Sequence, residues 1–199
     1  MDAPIYKSAL SGLAFVDNSS PGTSNWRSIA ASDDGTKVVA VDGRYIYTST
    51  DSAVTWTRQT SAGSGNWYSV ASSDDGSKLV AVQRGNYIYT STDSGVTWTQ
   101  ELPAGEADWT SVASSNDGSY LVAVQNYGEI YTNGYYGLDF SQPNSPGKGF
   151  WKSIAVSDDG IKGCCRAKWI YLHVHGLGCD VDPANIRGVW LLAIGGIVE

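Results

Sequence analysis

The sequence S-T-D-S-G-V-T-W at Ser91–Trp98 decides the fold, and a near copy, S-T-D-S-A-V-T-W, occupies Ser49–Trp56. In each copy the aspartate can accept hydrogen bonds from backbone N–H groups a few residues later, and Gly95 tolerates a positive φ angle. The residues after the turn alternate between apolar and polar, as in a strand with one buried face. The stretch is therefore predicted to be a tight turn that leads into a β-strand and ends on a large apolar anchor, the tryptophan.

Large aromatic residues recur at a nearly constant spacing on either side of this turn. One series is separated by 41, 42 and 42 residues and a second by 42 and 42; they are Trp26, Trp67, Trp109 and Trp151, and Trp56, Trp98 and Phe140. A period of about 40 to 45 residues with several strand-like runs in each unit is the pattern of a β-propeller blade. The first series is predicted to anchor the blades in the core, and stacking on sugars is its alternative role.

The repeat divides the chain into units of four strands. We predict full blades at 26–66, 67–108 and 109–150, a half blade at 4–25, and the start of a fourth full blade at 151–162. In ring-shaped propellers such a half blade is commonly completed by strands from the far end of the chain, which removes exposed sheet edges. The predicted fold class is all-β, a partial and truncated β-propeller of four-stranded blades of roughly 42 residues.

The repeat pattern stops after Lys162, and all of the cysteines and histidines lie beyond it. Written with permitted codons, the loss of one adenine from the Lys162 codon turns the tail into K-V-V-A-V-Q-S-G-Y-I-Y-T-S-T-D-S-G-V-T-W, which restores the repeat. We therefore predict that 163–199 is an out-of-frame, non-native tail that forms at most part of a blade. Resequencing across the Lys162 codon tests this prediction.

The same tail contains residue types that bind zinc. Thiolates and imidazoles at short spacing are typical zinc ligands, and the candidates are Cys164, Cys165, His173, His175 and Cys179. Because the frameshift accounts for all of them, no metal site is predicted there. The Asp-Asp-Gly triplets elsewhere offer too few oxygens for calcium in one loop, and a hairpin turn explains them. No cofactor is predicted.

The charge of the chain excludes several classes of partner. The net charge is −7, and the sequence has no cluster of lysine and arginine to contact phosphates. Binding to nucleic acid or to an anionic membrane is therefore disfavoured. The first residues lack the features of a secretory signal, and the apolar run 189–198 is about half the length of a spanning helix. We expect a soluble chain without a recognisable targeting signal.

The motif S-x-D-x-[GA]-x-x-W resembles the Asp-box, or bacterial neuraminidase repeat, which recurs in sialidases, sortilin-type receptors and the photosystem II stability/assembly factor family. The resemblance covers residues 5–162 and is greatest to the last group. It implies a structural turn between the third and fourth strands of a blade, remote from the active centre. The structural Asp-box residues implied are Ser49, Asp51, Trp56, Ser91, Asp93, Gly95 and Trp98.

The resemblance to sialidases raises the question of catalysis. Such an enzyme needs an arginine triad for the substrate carboxylate, a Tyr–Glu nucleophile pair and an aspartic acid that acts as the proton donor. The residues available before the break are Arg27, Arg44, Arg58 and Arg84, with Glu101, Glu106 and Glu129. Nothing marks a catalytic set among them. The sequence predicts a non-catalytic scaffold that binds a protein partner; the alternative is a carbohydrate-binding or sialidase-related propeller.

Overall fold

A computed structural model of the chain describes residues 4–8, 15–18, 22, 24–133, 140–141, 148–158, 162–167 and 171–175. Within these ranges the chain forms strands and one short 3₁₀ helix at Leu102–Ala104. The strands are β1 (Ile5–Ser8), β2 (Phe15–Asn18), β3 (Ser28–Ala31), β4 (Val38–Val41), β5 (Ile46–Ser49), β6 (Thr57–Gln59), β7 (Trp67–Ser72), β8 (Leu79–Asn86), β9 (Ile88–Ser91), β10 (Thr99–Glu101), β11 (Ala107–Ser114), β12 (Leu121–Gly128), β13 (Ile130–Asn133), β14 (Phe140–Ser141), β15 (Gly149–Val156), β16 (Lys162–Ala167) and β17 (Tyr171–His175).

The strands follow one another as antiparallel meanders of four. We call β3–β6 blade one, β7–β10 blade two and β11–β14 blade three, and in each the neighbouring strands along the chain pair with each other. The first strands of successive blades lie beside one another, as β3 does beside β7 and β7 beside β11. The fold is therefore the all-β, partial propeller that the repeat predicts.

Backbone hydrogen bonds join the blades at both ends of their first strands. At one end, β8 extends past its own blade, so that Asn86 pairs with Ala107 of β11. At the other end, the Asp33 N–H donates to the Asp74 carbonyl at 2.8 Å, and the Asp74 N–H donates to the Asn116 carbonyl at 2.7 Å. Because each blade bonds to the next, the blades form one continuous curved body.

The tryptophans predicted to be blade anchors lie between the blades. Trp67 and Trp109 are fully buried, and Trp151 is 4 % exposed. Trp67 packs with Val39, Val41 and Ile46 of the preceding blade. Each of these tryptophans therefore fills the space between two sheets, where burial of a large ring stabilises their packing.

The last unit that the structure describes contains three strands. β15 pairs with β16, and β16 pairs with β17, in antiparallel register, with a shift in register between Trp151 and Ser153. The division of the chain into blades and tail stays a prediction. Residues 176–199, including Cys179, lie outside the described residues, and the frameshift stays a prediction. No helix in the described part of the chain has the length and apolar character needed to cross a membrane.

Candidate functional site

The two Asp-box copies form closed turns of the same geometry. The Ser91 hydroxyl donates to the Asp93 carboxylate at 2.8 Å and accepts the Gly95 N–H at 2.9 Å. The Asp93 carboxylate also accepts the Thr97 N–H at 2.8 Å and the Thr97 hydroxyl at 2.6 Å. In this arrangement every side-chain oxygen faces the turn itself, and the aspartate has little capacity left for a ligand.

The first copy repeats these contacts. The Ser49 hydroxyl donates to Asp51 at 2.8 Å, and Asp51 accepts the Thr55 N–H at 2.8 Å and the Thr55 hydroxyl at 2.6 Å. Hydrogen bonds from Thr55 hold the pKa of Asp51 at about 2, well below its usual range. Because these bonds favour the ionised carboxylate, Asp51 is not suited to donate a proton near neutral pH.

The tryptophans of the two Asp-boxes are partly buried. The Trp98 indole N–H donates to the Gly95 carbonyl at 2.9 Å, and the Trp98 ring lies 6.3 Å from the Trp67 ring. The indole nitrogen of Trp56 is buried and has no hydrogen-bond partner among the described residues. Trp98 thus packs against the core that lies between blades one and two.

The turns of each blade lie at two opposite ends, which define two faces of the molecule. The turn between strands one and two bonds to the Asp-box turn of the same blade, as the Ser94 N–H does to the Ser77 carbonyl at 2.9 Å. We call this end the Asp face; its charged residues are Asp33, Asp34, Asp51, Asp74, Asp75, Asp93, Asp117 and Asp158, with Lys37 and Lys78. Partial desolvation and the nearby carboxylates of Asp33 and Asp158 raise the pKa of Asp74.

The opposite end carries every arginine of the repeat region. We call it the Arg face, and its cations are Arg27, Arg44, Arg58, Arg84 and Lys152. Most of them lie between strands two and three or near the start of strand one. Arg58 lies on β6, and its guanidinium is 4.7 Å from the centre of the Tyr45 ring. The chain has an overall negative charge, and the four arginines of the repeat region share this one face.

A β-bulge follows the anchor tryptophan in successive blades. The pairing register shifts between Trp67 and Ser69, between Trp109 and Ser111, and between Trp151 and Ser153. A bulge adds a residue to one strand and re-aims its side chain. The bulged residues are Tyr68, Thr110 and Lys152, and Arg27 follows Trp26 at the corresponding place.

Arg27, Tyr68 and Lys152 belong to a chain of contacts across the Arg face, whereas Thr110 is buried. The guanidinium groups of Arg27 and Arg84 lie 5.7 Å and 5.5 Å from the centre of the Tyr68 ring. Arg84 Nε donates to Asp108 Oδ1 at 2.5 Å, and Arg84 Nη2 donates to Asp108 Oδ2 at 3.3 Å. Because a guanidinium is attracted to the face of an aromatic ring, Tyr68 and Asp108 hold Arg84 in a defined position.

The chain of contacts continues into the next blades. The Asn126 amide donates to Asp108 Oδ2 at 2.9 Å, and Lys152 Nζ donates to Asn126 Oδ1 at 3.2 Å. The hydrogen bond from Arg84 lowers the pKa of Asp108, so that this carboxylate is ionised and paired. The Arg84 side chain is nevertheless 42 % exposed. A network that spans several blades thus presents fixed cationic groups to solvent.

An exposed pair of aromatic rings lies beside this network. Tyr127 is 66 % exposed, Phe150 is 46 % exposed, and their ring centres are 5.0 Å apart. Tyr127 has a φ of +60°, whereas the same turn of blade two has Gly85 at +74°. A tyrosine in the left-handed region costs about 1–2 kcal/mol, so the exposed ring is present despite backbone strain.

Two further carboxylates of the Arg face, Asp42 and Glu101, are engaged in hydrogen bonds. Asp42 accepts the N–H groups of Arg44 and Tyr45 at 2.8 Å and 2.7 Å, as well as the Ser24 hydroxyl at 2.8 Å. Glu101 is 5 % exposed and accepts the Thr90 hydroxyl at 2.5 Å. The side chains that the structure describes include no group of three histidine, cysteine or acidic residues placed to hold a metal ion.

Sequence reasoning named the arginines but missed their partners. The repeat itself contains a signal that could have found them. Positions that shape a blade recur in every copy, whereas the residue after the anchor tryptophan changes from Arg27 to Tyr68, Thr110 and Lys152. Variation at one position of an otherwise constant repeat indicates a position that the fold does not fix.

Comparisons with known proteins bear on the fold. No family model matches the sequence, and no curated protein matches it. Among solved structures, the Niastella koreensis GH74 enzyme is 22 % identical with a TM-score of 0.62, and the alignment covers 77 % of this chain and 23 % of that one. YCF48 bound to D1 peptide is 16 % identical with a TM-score of 0.59, covering 76 % of this chain and 50 % of that one.

A third structure covers more of this chain. The β-propeller domain of Cps50 (Swd1) from Myceliophteria thermophila is 14 % identical with a TM-score of 0.68, and the alignment covers 93 % of this chain and 64 % of that one. The chain thus spans less than two thirds of each of these structures. At such identities the similarity shows the propeller fold, which enzymes and non-enzymatic proteins share.

Proposed function

We propose that this chain is a non-catalytic Asp-box propeller that binds a protein partner through the Arg face. The observation that carries the proposal is the network from Arg27 through Tyr68, Arg84 and Asp108 to Lys152, which crosses the blades and leaves Arg84 partly exposed. Asp108 holds Arg84 through Nε and Nη2, which leaves the outer edge formed by the two Nη groups for a second carboxylate. The partner is therefore an extended peptide segment with acidic side chains or a free carboxyl terminus.

Two further observations support this proposal. The carboxylates Asp42 and Asp108 on the same face are occupied by hydrogen bonds within the chain, so these two groups are not free to serve as the acid and base of a glycosidase. YCF48, a protein of the same fold, has been solved with a bound peptide. Peptide binding is thus a use that this fold supports elsewhere, and the Arg face offers the chemistry for it here.

The test is a titration with synthetic acidic peptides, measured by isothermal calorimetry. Arg84→Ala is expected to weaken binding by about tenfold or more, because it removes the outer Nη edge of the guanidinium and the cation at Tyr68. Lys37→Ala removes the same charge from the Asp face and serves as the matched control. Equal losses from the two variants would mean that only net charge matters, and unchanged binding in Arg84→Ala would refute the proposed site.

Carbohydrate binding is the second candidate, favoured by the exposed rings of Tyr127 and Phe150. Aromatic faces stack on the apolar faces of sugar rings, and the neighbouring Asn126 and Lys152 offer polar groups. A glycan array on the wild type and on Tyr127→Gly tests this function. Glycine at this position copies Gly85, so the ring is lost without added strain. Turnover of a fluorogenic sialoside would show catalysis and overturn the non-catalytic proposal.

A further inference from the structure

Successive blades meet through different pairs of residues at equivalent positions of the repeat. Between blades two and three, Arg84 of β8 lies opposite Asp108 of β11. Between blade three and the next unit, Asn126 of β12 lies opposite Phe150 of β15, and the ring of Phe150 contacts the ring of Tyr127. The ion pair at one junction is thus replaced at the next junction by a pair of exposed aromatic rings.

The fold does not require these two rings. The residue before the anchor tryptophan is polar in the other units, where it is Asn25, Asn66 or Asp108. Tyr127 has a φ of +60°, a conformation that Gly85 adopts in blade two. Because both rings remain exposed, burial does not offset the strain of a tyrosine in this conformation. An exposed apolar pair that is held by a strained backbone is typical of a binding surface.

The arrangement of the two rings favours an apolar side chain as the ligand. The ring centres are 5.0 Å apart, and the ring planes are inclined by 50°. The rings therefore do not form a flat platform, and a sugar ring that stacks on one of them does not stack on the other. A compact apolar side chain of a peptide can contact both rings at once.

Four neighbouring strands connect the aromatic pair to Arg84. Their order in the sheet is β8, β11, β12 and β15, and the side chains of Asp108, Asn126 and Lys152 join them by hydrogen bonds. Neighbouring strands lie about 4.8 Å apart, so β8 is about 10 Å from β12 and about 14 Å from β15. The site for a carboxylate at Arg84 and the aromatic pair are thus within the reach of one short extended segment.

We propose that the Arg face binds two side chains of its peptide partner, an acidic one at Arg84 and a large apolar one at Tyr127 and Phe150, about four residues apart. This inference rests on the function proposed above and adds the sequence class of the partner. Side chains on one face of an extended peptide are about 6.7 Å apart and belong to every second residue. Two such steps cover about 13 Å, which matches the distance from β8 to the aromatic pair.

Charge complementarity selects a peptide of this class over a purely apolar one. Arg84 and the exposed Lys152 lie on the two sides of Asn126, so cations flank the apolar contact. An acidic side chain beside the apolar one gains a charge-assisted hydrogen bond, whereas a basic one meets like charge. The apolar contact supplies affinity, and the cations restrict the partner to segments that also carry negative charge.

The probes are three Gly-Ser peptides of equal length, and isothermal calorimetry measures their binding to the full chain. The first peptide has one glutamate and one phenylalanine at the proposed spacing, the second has the same two residues adjacent, and the third has alanine in place of the phenylalanine. We expect the first to bind about tenfold more tightly than the other two, because about half of a phenylalanine side chain leaves water on the two rings. Added salt is expected to weaken all three and to preserve this ratio.

Variants of the chain assign the gain in affinity to the two rings. Tyr127→Gly copies Gly85 and Phe150→Asn copies Asn66, so each variant carries a residue that the repeat already has at that position. In either variant the first peptide is expected to bind no more tightly than the third. Val96→Ala is the matched control, because it truncates an apolar side chain that is 60 % exposed on the Asp face, and it is expected to keep the gain. Circular dichroism confirms that each variant is folded.

The outcomes separate this inference from the proposed function. If the third peptide binds in a manner that requires Arg84 and the first binds no more tightly, the acidic site stands and the aromatic site is refuted. If none of the peptides binds, both proposals are refuted, and equal binding of the first two peptides refutes the spacing. A dimer of the chain that Tyr127→Gly dissociates, or a glycan that requires Tyr127 while the first peptide shows no gain, assigns the rings to another occupant and overturns the inference.

Discussion

Trp109→Ala is expected to be among the most destabilising single substitutions in this chain, and Trp26→Ala a much milder one. Trp109 is fully buried, meets Tyr131 edge to face at 5.0 Å and donates its indole N–H to Asn86 at 2.9 Å. A buried tryptophan removes about 150–250 Å² from water, which at about 25 cal/mol per Å² amounts to about 4–6 kcal/mol. Measured losses for such substitutions are about 3–5 kcal/mol, so we expect a loss of about 4 kcal/mol.

The same substitution at Trp26 removes a ring that is only half-buried and that already borders an open cleft. Its N–H makes no hydrogen bond to a described residue, and its ring meets the Tyr47 ring at 5.2 Å, a contact that the substitution removes. We expect a loss of about 2 kcal/mol or less, since roughly half as much area returns to water. The substitution is the same at both positions, and the positions differ in how far the preceding blade buries the ring.

The assay is urea-induced unfolding followed by far-ultraviolet circular dichroism, because tryptophan fluorescence would change with the substitutions themselves. Trp109→Phe keeps an aromatic ring and is expected to lose about 1–2 kcal/mol, which provides a measurement if Trp109→Ala does not fold. The dependence of the unfolding free energy on urea is compared among variants to confirm that the same surface is exposed. Equal losses at Trp26 and Trp109 would refute the reasoning, since the packing between blades would then contribute nothing.

Three further predictions concern single positions, and thermal unfolding measured by circular dichroism tests each. Burial raises the pKa of Glu101, so its charged form destabilises the fold and the unfolding free energy falls as the pH rises from the unfolded-state pKa through the folded-state pKa. Glu101→Gln is expected to raise the unfolding free energy by about 1 kcal/mol at pH 7 and to remove this pH dependence. Gln59 is the equivalent residue of blade one and donates to the Thr48 hydroxyl at 2.6 Å, so Gln59→Glu is expected to have the opposite effect. Gly95→Ala is expected to lower the unfolding free energy by at least about 1–2 kcal/mol, because Gly95 has a φ of +85° and a Cβ there would lie 2.8 Å from Thr48 Cγ2. Ala53→Gly, at the equivalent position, relieves a φ of +62° and is expected to be neutral or stabilising. Asn133→Ala is expected to cost about 2–3 kcal/mol, because the buried Asn133 amide accepts the Leu121 N–H at 2.6 Å and donates to the Ser119 carbonyl at 2.7 Å.

Asn133 also illustrates what the repeat pattern could not predict. It stands where Ser49 and Ser91 stand in the two Asp-box copies, and the sequence identified this third copy only as a decayed motif. In the structure its amide joins strand three to strand two, a contact that a serine at this position does not make in the other blades. Where the motif is lost, the longer side chain of Asn133 thus makes hydrogen bonds of its own, and the spacing of the repeat does not predict them.

In the candidate site as well, the sequence predicted local features and did not predict contacts between blades. The sequence located Arg44 and Arg84 in equivalent turns, because turn residues are recognised locally. It did not predict the contact of Arg84 with Asp108, since the two residues belong to different blades and meet through the pairing of β8 with β11. It also passed over Tyr68, because the bulge that re-aims this side chain arises from pairing with β8 and leaves no mark in composition.

The sequence by itself determined the strands, the turns and the period of this protein. Alternation, Asp-Gly turns and the spacing of Trp26, Trp67 and Trp109 are local or periodic properties, and each follows from a few neighbouring residues. Only the tertiary structure decided how these equivalent residues differ in burial. Trp26 and Trp109 have the same place in the repeat, yet one borders a cleft and the other is sealed, because burial depends on the strands that a neighbouring blade brings into contact with the ring.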